Sequence, residues 1–174
     1  PGNAGTQTIA KNINEDILNF EAIYKIISKE NIDMVIVGPE QPLVEGIVDY
    51  LIKKKVRVFG PNMHAAQLEG SKGFMKNLCR ENKIPTANFG IFNNFDKASN
   101  FIKKNKLPLV IKADGLAAGK GVSICKSVEE AFRETKEILD GKFKSSNKVV
   151  IEEFLQGEEL SYFIIVDENS YQFF

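Results

Sequence analysis

The sequence predicts an α/β protein that opens with a parallel sheet and changes character just after residue 60. Three observations point there. Apolar runs rich in β-branched residues (32–37 and 56–59) alternate with stretches of helical periodicity, as strands buried on both faces do. Both runs stop at a Gly-Pro pair, Gly38-Pro39 and Gly60-Pro61. Further on, a third apolar run (109–111) enters a loop of small residues bounded by lysines and returns as a second β-type run (122–125).

In chain order, Pro1-Gly2-Asn3-Ala4-Gly5-Thr6 is a tight turn with exposed N–H groups. A helix is expected from Asn14 as N-cap, with Glu15 and Asp16 in its first turn and Ile17, Phe20, Ile23 and Ile27 along one face. Strand 32–37 runs into the loop Gly38-Pro39-Glu40-Gln41-Pro42-Leu43. A second helix through Leu43, Ile47 and Leu51 ends on Lys53-Lys54-Lys55, cations suited to a helix C-terminus, before strand 56–59. Past Gly60-Pro61, Ser71 is the expected N-cap of a helix that turns Phe74 and Leu78 inward and breaks at Ile84-Pro85-Thr86. A strand over 87–91 and a helix carrying Ala98, Phe101 and Ile102 precede the lysine-bounded loop. Ser127-Val-Glu-Glu130 is a capping box, with Val128, Ala131, Phe132 and Ile138 on one side of its helix and Gly141 beyond the end. Strands over 148–155 and 160–166 follow, then an apolar run to Phe174.

Composition narrows the function classes. A hydrophobic content of 43% with 26% charged residues is that of a globular domain able to bury a core. Lys+Arg and Asp+Glu balance at 23 each, so no global field recruits nucleic acid or a membrane. No apolar run is long enough to span a bilayer, and no signal-peptide pattern is present. Cys79 and Cys125 have no metal spacing and are expected as reduced thiols in a cytoplasmic protein. His64 is the only histidine and has no nucleophile or metal-type partner pattern beside it, so it is expected to be structural or exposed. The chain starts Pro1-Gly2 without Met and ends inside an apolar strand, which suggests a piece of a longer enzyme.

Two stretches carry chemistry. The first is Lys112-Ala-Asp114-Gly115-Leu-Ala117-Ala118-Gly119-Lys120-Gly121. Small side chains let a ligand approach the backbone and leave N–H groups free to face an anion. Lysines on both sides make a polyphosphate the natural guest, and the stretch reads as a phosphate-covering flap. It is not a P-loop, because Lys120 is followed by Gly121 and then a strand, and no G-x-G-x-x-G is present. The second is Glu152-Glu153-Phe154-Leu155 with Glu159 beyond it: a strand end able to offer backbone groups to a purine edge, and a carboxylate suited to ribose hydroxyls. In the first half, Glu40 is the only charge in the loop 38–43, at the carboxyl end of a predicted parallel strand, where such sheets bind ligands.

The motifs Pro1-Gly-Asn-Ala-Gly5, Val37-Gly-Pro-Glu-Gln-Pro-Leu-Val44, Phe59-Gly-Pro61, Ala66-Gln-Leu-Glu-Gly-Ser-Lys72, Ile84-Pro-Thr86, Val110 to Gly121 and Ile151-Glu-Glu-Phe-Leu-Gln-Gly-Glu-Glu159 together resemble glycinamide ribonucleotide synthetases. These are the phosphoribosylamine–glycine ligases, ATP-grasp enzymes of purine biosynthesis. The resemblance implies a truncated Rossmann-like parallel sheet over 1–68, followed by an incomplete ATP-grasp α+β domain over 69–174, with 88–160 bearing the flap. It implies ATP-dependent joining of glycine to 5-phosphoribosylamine through an acyl phosphate. Lys72 and Lys112 would hold ATP phosphates under the flap, including Asp114, Gly115, Ala117, Ala118, Gly119, Lys120 and Gly121. Glu152, Glu153, Phe154 and Leu155 would border adenine, and Glu159 the ribose. Pro1, Gly2, Asn3 and Gly5, with Gly38, Pro39, Glu40, Pro42 and Leu43, would face the phosphoribosylamine. The family's Mg²⁺ (or Mn²⁺) ligands correspond to positions beyond Phe174, so no acidic pair here is assigned to metal. Another ATP-grasp carboxylate–amine ligase, a biotin-dependent carboxylase subunit and a non-catalytic nucleotide-binding module are the alternatives.

Overall fold

A computed structural model of the chain describes residues 2–117, 119–143, 146–167 and 169–173. Asp16 decides where the first helix begins. Its Oδ1 accepts the Leu18 N–H at 2.9 Å, and Glu15 Oε1 accepts the Asp16 N–H at 3.0 Å. That local turn displaces the expected cap from Asn14 to Asn19, whose side chain accepts from Ala22 N–H to start α1 (Phe20–Lys29). Of the expected strand 32–37, only β1 (Val35–Ile36) pairs.

The expected loop at 38–43 becomes helical at Glu40, forming α2 (Glu40–Val44) with an extended Pro39 as N-cap. Pro42 lies in the first turn, where a missing N–H costs nothing. The single helix expected through Leu51 is broken by Gly46, whose φ of +92° suits glycine, and resumes as α3 (Ile47–Lys53). β2 (Val58–Phe59) then pairs in parallel with β1, Val35 opposite Val58. Ile27, Ile47, Val48 and Leu51 form the core of this half, with Phe20, Ile23, Val35, Leu43 and Val58 against it.

A short helix, α4 (Gln67–Gly70), leads to α5 (Lys72–Glu81), capped as expected by Ser71, whose Oγ accepts the Phe74 N–H at 3.1 Å. The buried positions of α5 are Gly73 and Lys76, whereas Phe74 and Leu78 are only half-buried. His64 is exposed and packs edge-on against the Phe74 ring.

The second half is a four-stranded antiparallel sheet with two helices on one face. Its elements are β3 (Phe89–Phe92), α6 (Phe95–Lys104), β4 (Leu109–Ala113), β5 (Val122–Cys125), α7 (Val128–Leu139) and β6 (Val149–Glu153), with strand order β3-β6-β4-β5. Alternation along β4 and β6 turns Leu109, Ile111, Ala113, Val149 and Ile151 toward Ala98 and Ile102 of α6 and Ala131 and Ile138 of α7. Burying each large side chain there contributes about 1.5–3 kcal/mol. The Ser127–Glu130 capping box is formed in both directions, and Gly141 follows α7 with φ +95°. Beyond β6, the strand expected over 160–166 narrows to β7 (Ile164–Val166), which among the described residues pairs with β8 (Tyr171–Phe173) alone. Asp167 Oδ1 ties that turn by accepting the N–H groups of Asn169 and Ser170. Among the described residues no helix is long and apolar enough to cross a membrane.

Candidate functional site

The flap is rooted in β4. Ala113 N–H reaches Gly121 O at 2.8 Å and closes the neck of the hairpin, while Lys120 N–H reaches Ala117 O at 2.9 Å. Asp114 ties this neck to the helix carrying Lys72. Its Oδ1 accepts from Gly73 N–H at 3.0 Å and Gly115 N–H at 3.1 Å, and the Ser71 hydroxyl lies 3.0 and 3.2 Å from its two oxygens. Asp114 is thus a cap and a clasp, with most of these contacts gathered on Oδ1.

Under the flap lies a cavity of about 350 Å³. It is lined by Glu40 and Gln41 of α2, by Glu69 and Lys72, and by Gly115, Ala117, Gly119 and Gly121 of the flap. Lys72 Nζ donates to Gly115 O at 2.9 Å. Burial pushes the Lys72 ammonium below the ordinary lysine value; the Asp114 and Glu69 carboxylates oppose this and the Lys112 ammonium adds to it. An anion entering the cavity would relieve that strain on the charged form.

Lys112 and Glu152 occupy the sheet face away from α6 and α7, because they alternate with the buried Ile111 and Ile151. Lys112 faces Val150 across the ladder, one diagonal step from Glu152, and its Nζ lies 2.9 Å from Glu152 Oε1. Glu152 Oε2 is held by Lys76 Nζ at 2.7 Å. Glu152 is therefore an internal counter-ion, with side-chain exposure of 5%. Glu153 exchanges two bonds with Asn88: its backbone N–H donates to Asn88 O, and its Oε1 accepts the Asn88 N–H at 2.8 Å.

The cavity gathers Glu40, Lys72, Gly115, Ala117, Gly119 and Gly121 from the sequence expectations, and Lys112 stands close enough to act on Lys72 electrostatically. Other expected residues fall elsewhere. Lys120, Phe154, Leu155 and Glu159 are exposed, the last three on the irregular segment after β6. Pro42 is buried and Leu43 packs against the first core, so their side chains serve the fold. Gly38 and Pro39 are exposed ahead of α2, and Gly2, Asn3 and Gly5 lie in an exposed turn knotted by Thr6 and Asn12. Pro1 and Ala118 lie outside the described residues. Sequence reasoning missed Gln41, Glu69 and Lys76. The spacing of Lys76 four residues after Lys72, on one side of a helix, was the available signal.

Comparison with known proteins agrees in both halves. Residues 1–69 match the family "Phosphoribosylglycinamide synthetase, N domain", and residues 70–174 match "Phosphoribosylglycinamide synthetase, ATP-grasp (A) domain". The chain is 45% identical over 167 residues to the phosphoribosylamine–glycine ligase of Brucella melitensis, covering 95% of this chain and 39% of that protein. It is 46% identical to the chloroplastic phosphoribosylamine–glycine ligase of Arabidopsis thaliana, covering 98% of this chain and 33% of that one. The crystal structure of phosphoribosylamine–glycine ligase from Thermotoga maritima superposes with a TM-score of 0.79 at 36% identity, over 98% of this chain and 41% of that one. The chain thus spans about two fifths or less of the length of these relatives. With both halves matched in sequence order, the chain belongs to the phosphoribosylglycinamide synthetase family and carries its N domain and its ATP-grasp domain sequence.

Proposed function

We propose that this chain is the nucleotide-binding part of an ATP-dependent ligase that joins glycine to 5-phosphoribosylamine, giving glycinamide ribonucleotide, ADP and phosphate in purine biosynthesis in the cytoplasm. The observation that carries the reading is the flap cavity, where Lys72 and four small flap residues meet Glu40 of the first half. A glycine carboxylate oxygen attacks the γ-phosphorus of ATP and ADP leaves. The amine nitrogen of phosphoribosylamine then attacks the acyl carbon, its proton is lost, and phosphate departs as the amide forms. Lys72 and Lys112 neutralise phosphate charge, and the flap backbone from Gly115 to Gly121 covers the acyl phosphate and keeps water from it.

Glu40 lines the same cavity, and its carboxylate is the group assigned to the polar phosphoribosylamine. Gly2, Asn3, Gly5, Gly38 and Pro39, all exposed, are assigned to the same substrate. The backbone of Glu153 and Leu155 borders adenine beside Phe154, and Glu159 accepts from the ribose once the irregular segment folds onto the nucleotide. We take the first unit as 1–68 and the second as 69–174. ATP-grasp ligases use ATP and a divalent metal in general. Among the described residues no three His, Cys, Asp or Glu side chains come together as a ligand set.

The test is phosphate release by the protein in its full natural length. Release should require ATP, glycine and phosphoribosylamine together, and release that ignores glycine would overturn the assignment.

A further inference from the structure

Lys76 is a fully buried lysine with no place in the reaction just described. It sits one turn after Lys72 on the same helix, with a side-chain exposure of 4%. Its Nζ contacts Glu152 Oε2 at 2.7 Å and the Thr86 hydroxyl at 2.7 Å, and it lies 5.7 Å from the Phe89 ring centre. The other oxygen of Glu152 is 2.9 Å from Lys112 Nζ, whose side chain keeps 25% of its exposure. One carboxylate is thus shared by two ammonium groups, one sealed and one open to the flap root.

Charge arithmetic gives this cluster its meaning. Two cations and one anion leave a net charge of +1. With an apolar residue at position 76, Glu152 would have Lys112 alone, and that pair would be neutral. An apolar side chain would also be cheaper to bury than an ammonium group, so packing by itself gives no reason for a lysine here.

We propose that Lys76 is a positioning residue for the nucleotide's phosphates. By occupying Glu152 Oε2 it leaves Oε1 to orient Lys112 at the exit of β4, and by supplying the second cation it prevents Glu152 from cancelling the Lys112 charge. The ligand class served is the oligophosphate of a nucleoside di- or triphosphate. The inference deepens the ligase reading and rests on it.

The experiment measures ADP affinity by calorimetry on the protein in its full natural length. It compares the parent, Lys76→Met, Glu152→Gln and the double variant, and records a thermal unfolding midpoint for each. Removing one unit charge beside a phosphate should weaken ADP binding about tenfold in Lys76→Met. The double variant returns the cluster to +1 through Lys112 alone and should recover to within about threefold of the parent, while Glu152→Gln, at +2, should bind ADP more tightly than the double variant. A folded Lys76→Met with parental affinity overturns the inference, as does a folded double variant that stays as weak as Lys76→Met. If Lys76→Met does not fold, the comparison of Glu152→Gln with the double variant decides, and equal affinities there overturn it. A parent that binds no ADP instead removes the nucleotide reading itself, before any variant is compared.

Discussion

The clasp at Asp114 makes the most exacting prediction. Asp114→Ala removes the acceptor for Gly73 N–H at 3.0 Å, Gly115 N–H at 3.1 Å and the Ser71 hydroxyl at 3.0 Å. Loss of a capping acceptor costs about 1 kcal/mol, and loss of further bonds to a half-buried charged group about 1–2 kcal/mol more. The local cost is therefore about 2–3 kcal/mol, concentrated where α5 meets the flap neck. Because both backbone donors and the shorter hydroxyl contact use Oδ1, Asp114→Asn can keep these bonds and forfeit only the charge, at a cost below about 1 kcal/mol. Amide hydrogen exchange reads this directly: protection of Gly73 and Gly115 should fall about thirtyfold or more in the alanine variant and several-fold at most in the asparagine variant. Unchanged protection in Asp114→Ala, or equal losses in the two variants, would refute the clasp.

Three further outcomes are expected. Lys112→Ala should weaken ATP binding while the fold persists, since Lys76 still neutralises Glu152; equal affinity for parent and variant by calorimetry would count against it. Gly121→Ala places a Cβ 2.6 Å from Ala117 Cβ and 3.3 Å from Ala113 Cβ, so the neck must widen at about 1–3 kcal/mol, and proteolysis within the flap should speed up. Glu134 supplies a pH test. Burial alone would raise its carboxyl, but hydrogen bonds from Lys142 and Ser123 hold it below the ordinary 4.5, while bonds to Glu137 and Glu134 raise Lys142 above 10.5. The Glu134 contribution is full above 4.5 and fades as pH falls through the depressed value. The Lys142 contribution is full below 10.5 and fades as pH rises through the raised one. Lys142→Met should therefore lower the unfolding midpoint most between these limits, and a gap from the parent that did not vary with pH would contradict the pairing.

Local chemistry was readable wherever one side chain meets its own backbone. Ser71 and Ser127 announced their caps, and the 109–111 and 122–125 runs announced the hairpin that carries the flap. Helix starts failed where competing local bonds were close: Asn14 lost to Asn19 because Glu15 and Asp16 folded back on their own neighbours. The lysines proposed to meet phosphate stood out by their place near the glycine-rich stretch. Lys76 did not, because its role depends on a carboxylate 76 positions away that only strand pairing brings opposite it. By itself the sequence determined the family, the flap and the alternation that buries one face of β4 and β6. Only the tertiary structure decided that Asp114 is a clasp, that Glu152 is a shared counter-ion and that Pro42 belongs to the interior. Each of those roles is an electrostatic or packing relation between distant segments, and the free energy of such a relation depends on distance and solvent exclusion, which no order of residues states.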